Sequence, residues 1–151
     1  MNDAIFKKMS EELRKALPED RATNLLLPPP IFEALGAEII DFDLEAQTMT
    51  NKYPVQAQFL NPMGFLQGGI LTAIMDNTIG PLSLLLAPPS VTTQFNTSYL
   101  RPASAEDKFV IVTAECTERT RRQLFFTATV RNEAGKTLTI GHSTHQIVQP
   151  G

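Results

Sequence analysis

Two glycines and one carboxylate are the residues in this chain whose types and spacing could do chemistry. Gly68 and Gly69 stand at the head of a long apolar run, and Asp76 interrupts that run. Asn61-Pro62-Met63-Gly64 reads as a turn leading into it. Ile70, Leu71, Ala73, Ile74, Met75, Ile79, Leu82, Leu84, Leu85 and Leu86 then cover most directions of a helix. The first N–H groups of a helix have no intrahelical acceptor, the macrodipole there favours negative charge, and glycine leaves the backbone open. Such a terminus can hold a carbonyl oxygen as it becomes an oxyanion. An ionised carboxylate among apolar groups is costly unless it is hydrogen-bonded, paired or reached by water. Asp76 therefore either lies on a narrow wet face, pairs with an Arg for structural reasons, or works on a substrate.

Spacing limits how these groups can cooperate. Gly68 and Asp76 are eight positions apart, about 12 Å along one helix at about 1.5 Å per residue. One reacting carbonyl cannot touch both. If both serve one reaction, the carboxylate comes from a second copy of the helix lying antiparallel across a two-fold interface.

The elements that must position these groups follow from the pattern around them. A helix apolar nearly all round is buried in a core or in a membrane. Asp76, Asn77 and Pro81 break the run that a spanning helix needs, so a buried helix is expected. Upstream, Ile5, Met9, Leu13 and Leu17 recur every four residues and predict an amphipathic helix, with Asp3 as N-cap and Pro18 at its stop. Residues 19–30 read as a connector ending in the stiff, extended Pro28-Pro29-Pro30; residues 31–35 read as one helical turn closed by Gly36. Strands are expected at 37–42 and 47–56 as a hairpin, with Pro54 placing the second strand at an edge or a bulge. Four more are expected at 91–100, 108–118, 122–131 and 137–148, the last three as an antiparallel meander. The sum is an α+β domain in which a curved antiparallel sheet wraps one central helix.

The whole chain, 1–151, reads as a single domain: residues 1–30 form the N-terminal helix and Pro-rich connector, and residues 31–149 the core. A net charge of −3 argues against nucleic acid as a partner. Cys116 is the sole cysteine, which excludes an intrachain disulfide and suits a reducing cytoplasm. The charged first residues do not resemble a signal peptide.

Asn61-Pro62-Met63-Gly64, Gln67-Gly68-Gly69 and Asp76-Asn77, followed by Asn96-Thr97-Ser98-Tyr99-Leu100-Arg101-Pro102-Ala103, closely resemble the signature of hotdog-fold acyl-CoA thioesterases of the phenylacetate-pathway type. The resemblance runs from about residue 31 to 148. It implies a hotdog fold and a thioesterase acting on acyl- or aryl-CoA at a dimer interface, as a homodimer or dimer of dimers. It implies that Asp76 is the catalytic carboxylate, as general base or nucleophile, and that the Gly68 N–H polarises the thioester carbonyl. Asn61 would help hold that carbonyl or the water, and Thr92 would steady the attacking water. Position 67 departs from the pattern: many relatives carry His where this chain has Gln67. A Gln can donate a hydrogen bond to the departing thiolate but not a proton. A thiol of pKa near about 8.5 leaves without one, so altered rate or substrate choice is expected rather than loss of hydrolysis.

Among the remaining residues, Arg101, Arg119, Arg121 and Arg122 could bind the phosphates of coenzyme A or form a solvated surface. Phe59, Met63 and Phe65 could line an acyl pocket or pack in the core or at an interface. Thr92 alternates with Gln94, Asn96 and Ser98 on the more polar face of its strand. His142 and His145 fall on opposite faces of theirs and are assigned no role. No cluster has metal-ligand spacing and no Gly-rich phosphate loop occurs, so neither a metal nor a cofactor is expected beyond coenzyme A as part of the substrate. The rival readings are a hotdog module that binds acyl-CoA without cleaving it, which Gln67 favours, and a hotdog dehydratase.

Overall fold

The computed structural model describes residues 3–148. The chain begins with α1 (Asp3–Ala16), the single-turn α2 (Glu19–Ala22) and α3 (Pro30–Ala34). Strands β1 (Glu38–Asp43) and β2 (Thr48–Pro54) precede the central helix α4 (Gly68–Leu86). Four strands complete it: β3 (Ser90–Tyr99), β4 (Phe109–Arg119), β5 (Gln123–Asn132) and β6 (Thr137–Ile147). The expected end of the core at residue 149 lies outside the described residues.

All six strands form one antiparallel sheet in the order β1-β2-β4-β5-β6-β3. β4, β5 and β6 are the expected meander. β3 leaves α4 and joins the far side of β6, so it forms an edge. Period-two alternation aims one face of each strand at α4. Leu124, Phe126, Ala128 and Val130 of β5 are buried, as are Val110, Val112, Ala114 and Cys116 of β4. Against them lie Leu71, Ile74, Met75, Ile79 and Leu82 of α4. The helix approaches β6 closely at Gly141, where a Cβ would stand 2.9 Å from the Met75 sulfur. This curved sheet around one long helix is the hotdog fold.

α1 presents Met9 and Leu13 to the interior, with Leu17 buried just beyond its end, and it packs on α4 and β1. Burying each of these side chains contributes about 1.5–3 kcal/mol. Three expectations need correction here. Asp3 lies in the first turn of α1 rather than at a cap. The Pro28-Pro29-Pro30 run is not extended to its end, because Pro30 is already the first residue of α3; the connector before it also contains the single turn α2. β2 is interior, between β1 and β4, and Pro54 is neither at an edge nor in a bulge. The missing N–H is tolerated because Pro54 ends the strand beyond the last β1 partner, Lys52. The irregularity falls instead in β1, between Ile39 and Asp41.

α4 also differs from a helix enclosed on every side. Its core side is buried, while Ala73, Asp76, Asn77 and Gly80 are half-buried and Gly69 is exposed. The sheet covers one side of a helix, and α1 covers only part of the other. The rotation of α4 is set by a buried polar cluster. The Tyr53 hydroxyl accepts hydrogen bonds from Asn77 Nδ2 at 2.9 Å and Asn51 Nδ2 at 3.2 Å, and it shares a 2.9 Å bond with Thr78 Oγ1. Burial raises the Tyr53 pKa above its usual 10, so the phenol stays neutral and serves as a junction.

Tyr53→Phe keeps the ring and deletes that junction. It should destabilise the chain by about 1–3 kcal/mol, because Asn51 and Asn77 are left with unpaired donors. Chemical denaturation of the variant and the parent protein measures this.

Candidate active site

The residues singled out in the sequence fall into two groups at different points along α4. The first lies at the helix N-terminus. Asn61 starts the preceding turn, with its Oδ1 accepting the N–H groups of Met63 at 3.0 Å and Phe65 at 3.1 Å. Its own backbone N–H donates to the Phe65 carbonyl at 2.7 Å. Gly64 closes the turn at φ +79°, a conformation glycine adopts without strain. With Oδ1 committed to the turn, Nδ2 is left without a protein acceptor among the described residues. Asn61 is thus a turn-former whose amide N–H₂ is not engaged.

The N–H groups of Gly68 and Gly69 likewise have no acceptor among the described residues, as expected at a helix start. Gln67 is the N-cap residue, is exposed, and makes no side-chain capping bond. Tyr99 of β3 stands over Gly68, where an added Cβ would lie 3.2 Å from its ring. The Tyr99 hydroxyl is tied to Thr72 Oγ1 at 2.6 Å. Asn61, Phe65, Gly68, Tyr99 and Arg101 border one small cleft of about 250 Å³. Arg101 is exposed, and its Nη1 donates to the Thr137 carbonyl at 2.8 Å.

The second group surrounds Asp76, two turns further on. Thr92 Oγ1 donates to Asp76 Oδ1 at 2.9 Å. His145 Nε2 stands 3.2 Å from the same hydroxyl oxygen, and His145 Nδ1 stands 3.3 Å from Ser90 Oγ. Because Thr92 gives its proton to the carboxylate, its oxygen must accept from Nε2–H, and Nδ1 then accepts the Ser90 hydroxyl proton. A directed chain results: Ser90 to His145 to Thr92 to Asp76. Asp76 is half-buried, and its Oδ2 has no protein donor among the described residues.

The strand carries Thr92 on the side opposite to the sequence expectation. Thr92 reaches Asp76, while Thr97 and Tyr99 reach Thr72, so all three face α4 although 92 and 97 differ by an odd number. The register shift between Thr92 and Gln94 explains it: Thr93 is an extra residue that resets the alternation. Thr92 therefore does not share a face with Gln94, Asn96 and Ser98. His145 pairs with Thr92 across the strands and is buried, its ring against Phe126 at 5.0 Å, while His142 is exposed on the other face. The sequence reading gave His145 no role, because only the β3–β6 register brings it beside Thr92. Burial lowers its pKa below the usual 6.5, with the Asp76 charge pulling the other way, so the ring is neutral near pH 7.

Arg121 lies in neither group. It is exposed in a shallow hollow with Arg122 and Gln146. Cross-strand register puts Gln146 beside Val91, next to Thr92, so this hollow is at the Asp76 end of the sheet. Arg119 donates to the Leu86 carbonyl at 2.7 Å and caps the C-terminus of α4, where a cation is favourable. Met63 is 76% exposed, which removes it from the core. Among the described residues no group of three or more His, Cys, Asp or Glu side chains is arranged to hold a metal ion.

The depressed pKa of His145 carries a stability signature. Below pH 6.5 the unfolded chain takes up a proton there that the folded chain resists, so this contribution is complete above pH 6.5 and is lost as pH falls. The drop in unfolding free energy between pH 7.5 and pH 5.0 should be smaller in His145→Gln than in the parent protein, as urea denaturation at the two pH values would show.

Residues 63–139, just over half of the chain, match the sequence profile of the thioesterase superfamily. No curated protein matches the chain by sequence. Among solved structures, a phenylacetic acid degradation-related protein of Ralstonia eutropha JMP134 shares 29% identity, covering 79% of this chain and 90% of its own, with a TM-score of 0.74. The Escherichia coli PaaI protein from the phenylacetic acid degradation operon has the same fold, with 20% identity, coverage of 93% and 96%, and a TM-score of 0.77. So has smu.793 of Streptococcus mutans UA159, solved bound to acetyl CoA, with 20% identity, coverage of 74% and 88%, and a TM-score of 0.70. With its hotdog architecture and its match to the profile, the chain belongs to the thioesterase superfamily.

Proposed function

We propose that the protein hydrolyses acyl- or aryl-CoA thioesters in a homodimer whose sites each combine the Gly68 end of one chain with the Asp76 end of the other. The observation that carries this reading is the Asp76–Thr92–His145 chain. A carboxylate on an otherwise apolar helix keeps one oxygen free and has the other held by a directed donor. Acetyl CoA bound to the Streptococcus mutans relative supports coenzyme A as the carrier. The pairing of chains is supported by the separation of the two groups, about 12 Å along one helix. It is supported too by what is open in one chain: the edge strand β3, most of whose side chains are exposed, and the uncovered side of α4. A further pairing of dimers and a cytoplasmic location belong to the same proposal.

In this mechanism the thioester carbonyl oxygen rests on the Gly68 N–H and the Asn61 amide, which stabilise the oxyanion. The free Oδ2 of the other chain's Asp76 removes a proton from water as it attacks the carbonyl carbon, or attacks that carbon directly to give, after loss of the thiolate, a mixed anhydride that water then hydrolyses to release the acid and restore the carboxylate. Collapse of the tetrahedral intermediate breaks the C–S bond, and the thiolate leaves with a hydrogen bond from Gln67. Water supplies the carboxylic acid's oxygen, and the displaced proton ends on the thiol. Thr92 fixes the carboxylate, and neutral His145 fixes Thr92. Arg101 and Arg121 lie at opposite ends of one chain, so across a two-fold they would flank the same site and could meet the phosphates of coenzyme A.

Gln67 supports a second reading, in which the protein binds acyl-CoA without cleaving it. The two separate on a panel of acyl-CoA thioesters with a thiol reagent: hydrolysis releases thiol, whereas binding alone saturates without release. Asp76→Ala should lower turnover by about 10²–10⁴-fold while leaving the circular dichroism and melting temperature close to those of the parent. Parent-like turnover in that variant would reject the assignment of Asp76.

A further inference from the structure

A cavity of about 320 Å³ opens directly beside the Asp76–Thr92 hydrogen bond. Its polar end is Asp76, Thr92 and His145. Its apolar walls come from elsewhere: Leu13 of α1, Leu25 and Leu27 of the connector, and Leu84 of α4. The first three lie outside the superfamily match, which begins at residue 63. We infer that this cavity receives the acyl group of the thioester, so that the substrates are coenzyme A thioesters of apolar, medium-sized acyl groups, with residues 9–32 setting the size limit. The inference rests on the proposed hydrolysis at Asp76 and specifies its substrate class.

The chemistry of a thioester at this carboxylate leaves few choices. The carbonyl carbon must come to Asp76, and the sulfur carries a long polar carrier that belongs in water. The group on the other side of the carbonyl goes where there is space, and the space here is apolar. Its size is bounded as well. A water-sized group occupies about 30 Å³, so the cavity holds on the order of ten heavy atoms, an octanoyl chain or a single aromatic ring. A palmitoyl chain would overrun it. Charge sets a further limit, because among the described residues no Lys or Arg lines the cavity. A dicarboxylic acyl group would bury an unpaired carboxylate close to Asp76.

Gly80 supplies the test. It follows Asp76 by about one turn of α4 and lines the cavity, and a Cβ built on it meets nothing within 4 Å. A side chain there enters free space, and replacing a helical glycine favours the helix. The experiment measures kcat/KM of the full-length protein, Gly80→Leu and Leu25→Ala for acetyl-, octanoyl-, benzoyl-, palmitoyl- and adipyl-CoA, with the oligomeric state and melting temperature of each. The parent protein should prefer octanoyl- and benzoyl-CoA over palmitoyl- and adipyl-CoA by about tenfold or more. Gly80→Leu should lower the octanoyl-to-acetyl ratio by about tenfold or more, and Leu25→Ala should raise the palmitoyl-to-octanoyl ratio. If Gly80→Leu does not fold or assemble, the shift in Leu25→Ala decides. Turnover with a flat acyl profile, or with ratios unmoved in the variants, would overturn the cavity assignment and leave the hydrolysis reading standing. No thiol release from any thioester would overturn both.

Discussion

The rotational setting of α4 in the sheet is the constraint on which the rest depends. Successive residues of a helix point about 100° apart, so Asp76, Asn77 and Thr78 cannot all face one way. Asn77 and Thr78 are drawn to the buried Tyr53 hydroxyl of β2. That anchor turns Asp76 toward β3, where Thr92 meets it. A rotation by one residue would put the carboxylate among apolar side chains and leave the Tyr53 hydroxyl without Asn77. Both outcomes are costly, the first for the unpaired charge and the second for the unpaired donors. The pair Asp76-Asn77 therefore has two physical halves, a carboxylate beside β3 and the neighbour that aims it.

On the other flank the same economy of partners gives direction to the hydrogen bonds. Thr92 has one proton, and the carboxylate takes it. His145 must then present Nε2–H to the Thr92 oxygen, and burial keeps the ring in the neutral form that can also accept from Ser90. The bulge at Thr93 makes this geometry possible by turning Thr92, itself exposed, toward α4. The charge on the carboxylate strengthens the Thr92 hydrogen bond, which orients Asp76 beside the cavity.

Much of the architecture could be read from periodicity. The alternation in β5 and the stripe of α1 bury what their patterns imply, whereas the apolar run of α4 buries only its core side. The meander and the hairpin follow from short connections and turn residues. Pro54 misled because a proline signals a missing donor but not whether a partner strand extends that far. Thr92 was placed on the wrong face because a one-residue bulge is invisible to simple alternation. His145 was passed over for a related reason: its neighbours come from cross-strand register, and register is a property of the folded sheet. The apolar connector read as a spacer, and only its return over α4 reveals that Leu25 and Leu27 line a cavity.

The central claim is that one site draws on two chains, and complementation between inactive chains tests it most directly. Gly68→Pro removes the N–H at the first helical position, where proline is well tolerated, and Asp76→Ala removes the carboxylate. Each variant alone should be inactive. Unfolded together in equal amounts and refolded, they should form mixed dimers in half of the population, each holding one site with both groups intact. The account predicts recovery of about a quarter of the parent activity toward an acyl-CoA thioester. A refolded mixture as inactive as either variant, while the mixed dimer is demonstrably present, would contradict it.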